Sequence, residues 1–409
     1  MAKIVFIMDT EEGHVIPSFG LANALRKKDH DICYLGIIDS KQLIIEQGFS
    51  FYPIMENIYP SGFRKRSNLP VHQIDSHQDN SNMMLRTLHI NELTRGAYDS
   101  FLDKLQADLY IVSVFLHLDI LVLYYKYNIQ PVILTPFLRK PGKTLASECL
   151  DIISNVPEST ALLIESIKGR NMAITSLQQV VQPMDTFCEL VVCPRELDID
   201  QQPVASNTNY IGPSIRSETA TADIHVRYNV PVHKKIIYAS LGSQAKRHGN
   251  VCDIFFRKVM SVMQQQELQD LHLILCAGPE YELQKLTPAS DNVTVVGWAP
   301  QIDIVKTAAV AIIHGGLGSI KECIYYGVPM IIFPLGYDQP LNAKRVKHHH
   351  LGVVDNIKTV AESILKLHIL HVLNSPEIKT AVKDMQQVFR EKEAAQAGVT
   401  IVENLLKTR

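Results

Sequence analysis

The sequence has no excess of charge of either sign: 40 Lys and Arg stand against 42 Asp and Glu. Nucleic acid and anionic membrane surfaces ordinarily select a basic excess, so neither partner is expected. Paired cysteines are missing too. The seven cysteines are scattered, with no CxxC spacing, which speaks against a disulfide framework and for reduced thiols. No long hydrophobic run is present. The longest apolar stretch, Tyr110 to Tyr125, is interrupted by His117 and Asp119 and is too short and too polar to span a bilayer. The apolar segment near the N-terminus is too short for a signal-peptide core and is followed by acids. A soluble, cytoplasmic protein without membrane insertion is the expectation. No His/Asp ligand cluster suggests a metal. The three consecutive histidines 348–350 would point in different directions from a helix, and favour its negative end.

What is present is a globular composition, 46% apolar and 20% charged over 409 residues, a length that implies more than one domain. Lys3–Met8 (KIVFIM) reads as a strand buried on both faces. Phe19–Lys28 shows helical spacing, and Asp31–Gly36 is a second strand. Strand, loop, helix, strand is a βαβ unit and implies a parallel sheet. Leu109–Phe115 and Pro131–Leu134 continue the pattern. Residues 57–85, rich in Asn, Ser, His and Pro, read as a long loop. A second series of strands begins at Lys235–Leu241 and runs through Leu271–Cys276, Val293–Val296, Val310–His314 and Pro329–Phe333. The fold class is therefore α/β, with two Rossmann-like domains: 1–213, a linker at 214–232, then 233–385, with a C-terminal helix at 386–409 near the join.

The chemistry concentrates between Trp298 and Asn342. A strand leads into His314-Gly315-Gly316-Leu317-Gly318-Ser319 and then a helix, which aims free N–H groups and a positive helix end at one point. A phosphate could be held there without a metal, with His314, Ser319 and Ser243 (in SLGS, after the first strand of this half) as further donors. Glu322 suits the paired hydroxyls of a ribose; a helix-terminal acid is the plainer alternative. Trp298, the only tryptophan, could stack on a base or be a core aromatic, and Gln301 offers an amide. Asp338 and Gln339, after a strand, suit the vicinal hydroxyls of a sugar; solvated loop polarity is the alternative.

Together, WAPQ, HGGLGSIKE and PLGYDQPLNA resemble the donor-binding signature of family-1 glycosyltransferases, of the bacterial natural-product type. The GHVIP and SLGS strings agree with it. The resemblance implies a GT-B fold, two Rossmann-like domains facing each other across a cleft, with the donor on the C-terminal half. It implies that Trp298 stacks on the base, Gln301 contacts base or ribose, and Glu322 binds the ribose. Ser243, His314, Gly316 and Ser319 would hold the diphosphate, and Asp338 and Gln339 would read the sugar. Gly318 stands where plant members carry Asn. His14, in GHVIP, would be the catalytic base, deprotonating an acceptor hydroxyl. Members usually support that base with an Asp where this chain has Ser113, so either Asp119 or another carboxylate substitutes, or His14 works unaided. Thr135 is a candidate contact to the donor sugar.

The implied reaction is inverting, metal-independent transfer of a hexose, glucose by resemblance, to a hydroxyl of a small, largely apolar acceptor. Glu322, able to satisfy both ribose hydroxyls, favours UDP over dTDP. UDP-glucose would be a co-substrate rather than a cofactor. Two alternatives remain open at this point: a sugar-nucleotide epimerase, and a binding protein with weak or no turnover.

Overall fold

The computed structural model of the protein describes all residues except 64–75, 155–160, 162–173, 175, 200–202, 216–222, 243–244, 279–280, 289 and 409. The chain divides into two compact units. The first comprises Met1–Arg195, Asp200–Arg216 and Ala395–Arg409; the second comprises Glu196–Ile199 and Ser217–Ala394.

The first unit is built on a parallel sheet of β1 (Lys3–Met8), β2 (Asp31–Gly36), β3 (Ser50–Pro53), β4 (Leu109–Ser113), β5 (Val132–Thr135), β6 (Glu189–Val191) and β7 (Thr208–Tyr210). Their order is β3-β2-β1-β4-β5-β6-β7. Strand β1 shows why the run is continuously apolar. Ile4, Phe6 and Met8 bury against Phe19, Leu25 and Tyr34 on one face. Val5 and Ile7 bury against Val112, Ile120 and Ile133 on the other. Side chains alternate across a strand, so a sheet covered on both faces leaves no polar position in its middle.

The second unit repeats the scheme with β8 (Lys235–Ser240), β9 (Leu271–Cys276), β10 (Val293–Val296), β11 (Ala308–Ile313), β12 (Met330–Ile332) and β13 (Gly352–Val354), all parallel. Their order is β10-β9-β8-β11-β12-β13. In each sheet the order reverses at one place, beside β1 and β4 in the first and beside β8 and β11 in the second. Crevices outside the carboxyl ends of strands open at such points.

Three expectations need correction. Ser76–Arg95, partly inside the expected 57–85 loop, is a helix; its buried Ile90 and Leu93 provide the apolar anchor that the polar first half hides. The rest of that stretch includes 64–75, outside the described residues. The expected linker 214–232 contains a short helix, Ile224–Arg227, started by the Asp223 carboxylate accepting from the His225 N–H. The terminal 386–409 is not one helix but the end of Pro376–Ala394 followed by Ala397–Thr408. The break falls where Gln396 takes φ +46, a left-handed conformation that stops a helix.

Candidate active site

The switch point of the first sheet gathers His14. Strand β1 ends at Met8, and the chain turns through Asp9 into the short helix Glu12–Val15 that carries the imidazole. His14 Nδ1 lies 2.8 Å from Asp9 Oδ1. A carboxylate oxygen only accepts, so Nδ1 carries the hydrogen and the lone pair lies on Nε2. Asp9 also accepts from the Glu11 backbone N–H at 3.0 Å and, through Oδ2, from the Ser113 hydroxyl at 2.8 Å. One face of the imidazole stacks on Phe115, with ring centroids 3.6 Å apart. Phe115 in turn meets Phe137 at 5.4 Å, so a partly exposed aromatic surface begins at the His14 ring.

Asp119 does not support His14. It is buried at the start of the helix His117–Tyr127, accepting from the Tyr98 hydroxyl at 2.7 Å and pairing with His89 Nε2 at 3.0 Å. Thr135 is fully buried, and its hydroxyl donates to Glu189, a carboxylate that Arg139 also holds. A donor sugar cannot reach it there.

In the second unit, β11 ends at Ile313, so His314 opens the loop rather than closing the strand. Gly315 takes φ +90, and a Cβ there would come within 2.9 Å of Ile332, so glycine is required on both counts. Gly316 is the N-cap of the helix Leu317–Tyr326 and has no side-chain cap, which leaves that turn's N–H groups for a ligand. The His314 ring fits between two glycines: a Cβ on Gly242 would lie 2.6 Å, and one on Gly316 2.7 Å, from ring atoms. Burial, assisted by the nearby His248 and opposed by a hydrogen bond to the Ser240 backbone, pushes the His314 pKa down to about 4, so at neutral pH the ring is uncharged. Its Nδ1 is buried with no partner among the described residues. Ser243 lies outside the described residues.

Glu322 sits on the second turn of this helix, since Leu317 begins it, which removes the reading as a first-turn acid. Gln301 is fixed rather than free. Its Oε1 accepts from the Tyr238 hydroxyl at 2.9 Å, and its Nε2 donates to Ser319 Oγ at 3.1 Å and to the Glu322 carboxylate. The amide expected to meet base or ribose therefore orients Glu322. Ser319, accepting from Gln301, keeps its own hydroxyl hydrogen to donate. Trp298 is 63% exposed, so the core-aromatic alternative does not hold.

Asp338 precedes the helix Gln339–His348, and its Oδ2 accepts from Asn342 Nδ2 at 2.8 Å. The same Nδ2 donates to the Gly315 carbonyl at 3.1 Å, joining the Asp338 loop to the glycine turn. Gln339 is buried, with its Oε1 accepting from the Leu335 and Gly336 N–H groups; only its NH₂ end remains for a ligand. Asn342 is oriented by fully buried Arg345, which donates to Asn342 Oδ1 at 3.0 Å and pairs with Asp198 at 2.9 Å. Sequence reasoning missed Asp9, Tyr238, Asn342 and Arg345 as site residues. Asp9 was findable as the first acid after β1; nothing local marks the others.

Two Rossmann-like units, one with a glycine turn and polar side chains after β11 and one with a carboxylate-backed histidine after β1, carry groups suited to group-transfer chemistry. Residues 170–396, more than half of the chain, match the family model described as UDP-glucoronosyl and UDP-glucosyl transferase, and the chain belongs to that family. It is a glycosyltransferase that takes sugar from a nucleotide sugar, on a GT-B fold. Among curated relatives, an uncharacterized UDP-glucosyltransferase, YdhE of Bacillus subtilis (strain 168), is 23% identical over 96% of this chain and 95% of its own. Among solved structures, the glycotransferase of kitacinnamycin superposes with a TM-score of 0.77 at 22% identity, covering 99% of both chains. VinC, a glycosyltransferase in complex with dTDP, superposes at 0.66 with 15% identity and full coverage of both. No helix among the described residues is long and apolar enough to cross a membrane.

Proposed function

We propose that the enzyme transfers glucose from UDP-glucose to a hydroxyl of a small, largely apolar acceptor, with inversion at the anomeric carbon and without a metal. The observation that carries this reading is the turn at Gly315–Gly316. An uncapped ten-residue helix opens there beneath a neutral His314. A diphosphate at that turn meets backbone N–H groups and the Ser319 hydroxyl, beside the uncharged His314 ring. These donors stabilise the charge that grows on the leaving group as the glycosidic bond breaks.

His14 Nε2 takes the acceptor proton as the oxygen attacks. The new C–O bond forms as the old one breaks, and its electron pair leaves on the nucleoside diphosphate. One displacement inverts the anomeric configuration. Trp298 offers a flat face to the base. Glu322, held by Gln301, accepts from the ribose, and a ribose with two hydroxyls uses both carboxylate oxygens, which favours UDP. The VinC complex gives dTDP as the second donor reading. The aromatic surface of Phe115 and Phe137 favours an apolar aglycone.

Donor screening by thermal shift tests this. Protein saturated at 100 times the dissociation constant gains about 2.7 kcal/mol. UDP and UDP-glucose should raise the midpoint more than their dTDP counterparts, equally with and without EDTA, and Glu322→Ala should narrow the gap between the two nucleotides. A larger shift with dTDP, or one abolished by EDTA, would overturn the donor or the metal-free part of the proposal.

A further inference from the structure

Strands β1 and β4 are neighbours, in parallel register with Ile7 beside Val112. Continuing each strand by a residue or two brings Asp9 and Ser113 together at the same end, where the Ser113 hydroxyl donates to Asp9 at 2.8 Å. The two positions are therefore alternative origins for one carboxylate. A serine cannot offset the charge of an imidazolium, whereas a carboxylate at 2.8 Å can. We propose that Asp9, at the end of β1, is the positioning acid of the base and that Ser113, at the end of β4, is its clamp. This rests on the reading of His14 as the base.

Three donors converge on Asp9: the His14 ring, the Glu11 N–H and the Ser113 hydroxyl. They leave its carboxylate little freedom, so the ring edge is fixed in plane. Phe115, stacked at 3.6 Å, fixes the ring face and favours the charge that develops when Nε2 takes a proton. Asp9 and Phe115 together leave Nε2 as the one ring nitrogen able to accept. Asp9 touches no reacting atom in this scheme. It sets the tautomer and stabilises the protonated base.

The test needs no acceptor. Histidine-selective ¹⁵N labelling of the full-length chain, with the His14 signals assigned by their loss in His14→Ala, reads the tautomer directly. Wild type should hold the Nδ1–H form. Asp9→Ala should lose that preference, and Ser113→Ala should weaken it. Asp9→Ser combined with Ser113→Asp should restore it, because the carboxylate then reaches the same ring edge from the neighbouring strand. Wild type in the Nε2–H form, or an unaltered tautomer in Asp9→Ala, would overturn the proposal. Hydrolysis of UDP-glucose to UDP and glucose, with water as the acceptor, is measured alongside. Asp9→Ala should lower kcat by about 10²-fold, within the range a positioned base supplies, and the exchanged pair should recover at least about tenfold of it. The KM for the donor should stay within about twofold. Full turnover in His14→Ala would instead refute the reading of the base while leaving the tautomer result intact.

Discussion

His314 shows how a single residue sets the chemistry of the proposed donor site. A charged histidine would hold a diphosphate by attraction and would lose it as pH rose. This ring is buried between Gly242 and Gly316 and held neutral, its pKa pushed down to about 4 by that burial, so it acts through its geometry. Gly316 has an ordinary helical-entry backbone, φ −61, and tolerates a side chain conformationally. The objection is steric, because an added Cβ lies 2.7 Å from the ring. Gly316→Ala should therefore displace His314 and weaken UDP binding by about tenfold or more in titration calorimetry, roughly 1.4 kcal/mol. Gly318→Ala is the control: nothing lies within 4 Å of that Cβ, and alanine suits a helix. Equal losses at both positions would show that the ring is not what matters. At this scale the sequence displayed the proposed donor residues, because glycines, a tryptophan and paired acid and amide are rare enough to stand out. Asp9 escaped because the resemblance directs attention to position 113, and no one-dimensional pattern shows that two strand ends meet.

At the scale of elements, the six-residue strands β1, β2 and β9 were readable because they are almost wholly buried, and the four-residue edge strand β10 was read from its valines alone. β1, β2, β9 and β10 run over the residues expected of them. The strands β3, β6, β7 and β13 were not foreseen: SFYP, ELV, TNY and GVV are too short to show a period. Neither was the chain of contacts running along the helix Gln339–His348. There Asp198 pairs with Arg345, Arg345 orients Asn342, and Asn342 holds both Asp338 and the Gly315 carbonyl. Glu196 and Leu197 are held beside that pair, by Lys392 and by His349 Nε2 respectively. Removing one partner of a fully buried ion pair typically costs about 3–5 kcal/mol, because the other charge is left uncompensated. Arg345→Met should destabilise the second unit by about that much in urea unfolding. Adding Asp198→Leu should return most of it, since two apolar side chains bury without penalty. If the double variant is as unstable as the single one, the pair is not the source of the loss.

For the whole molecule, the relevant quantity is what both units hide from protons. His117 in the first unit and His272 and His314 in the second each have a pKa pushed down to about 4 by burial. Arg86 and Arg139 add to the effect at His117, and Lys234 and His225 at His272. An unfolded histidine titrates near 6.5. Above that value neither state carries these protons, and the stabilising effect of keeping the rings neutral is complete. As pH falls from about 6.5 to about 4 the unfolded chain takes up protons that the folded chain refuses, so stability falls with pH across that window. Below about 4 both states are protonated and these groups add no further slope. Two-unit architecture was legible from the repeated strand series, but this sensitivity was not: sixteen histidines look alike until burial separates them. Thermal unfolding followed from pH 7.5 to 4 should show the midpoint declining chiefly below 6.5 in both units. His117→Gln should flatten the decline of the first unit alone, and His272→Val that of the second. Such selectivity requires that the two units melt as separable transitions, which multidomain chains commonly do. A decline confined to pH below 4.5, or one that neither variant alters, would assign the acid sensitivity to carboxylates instead.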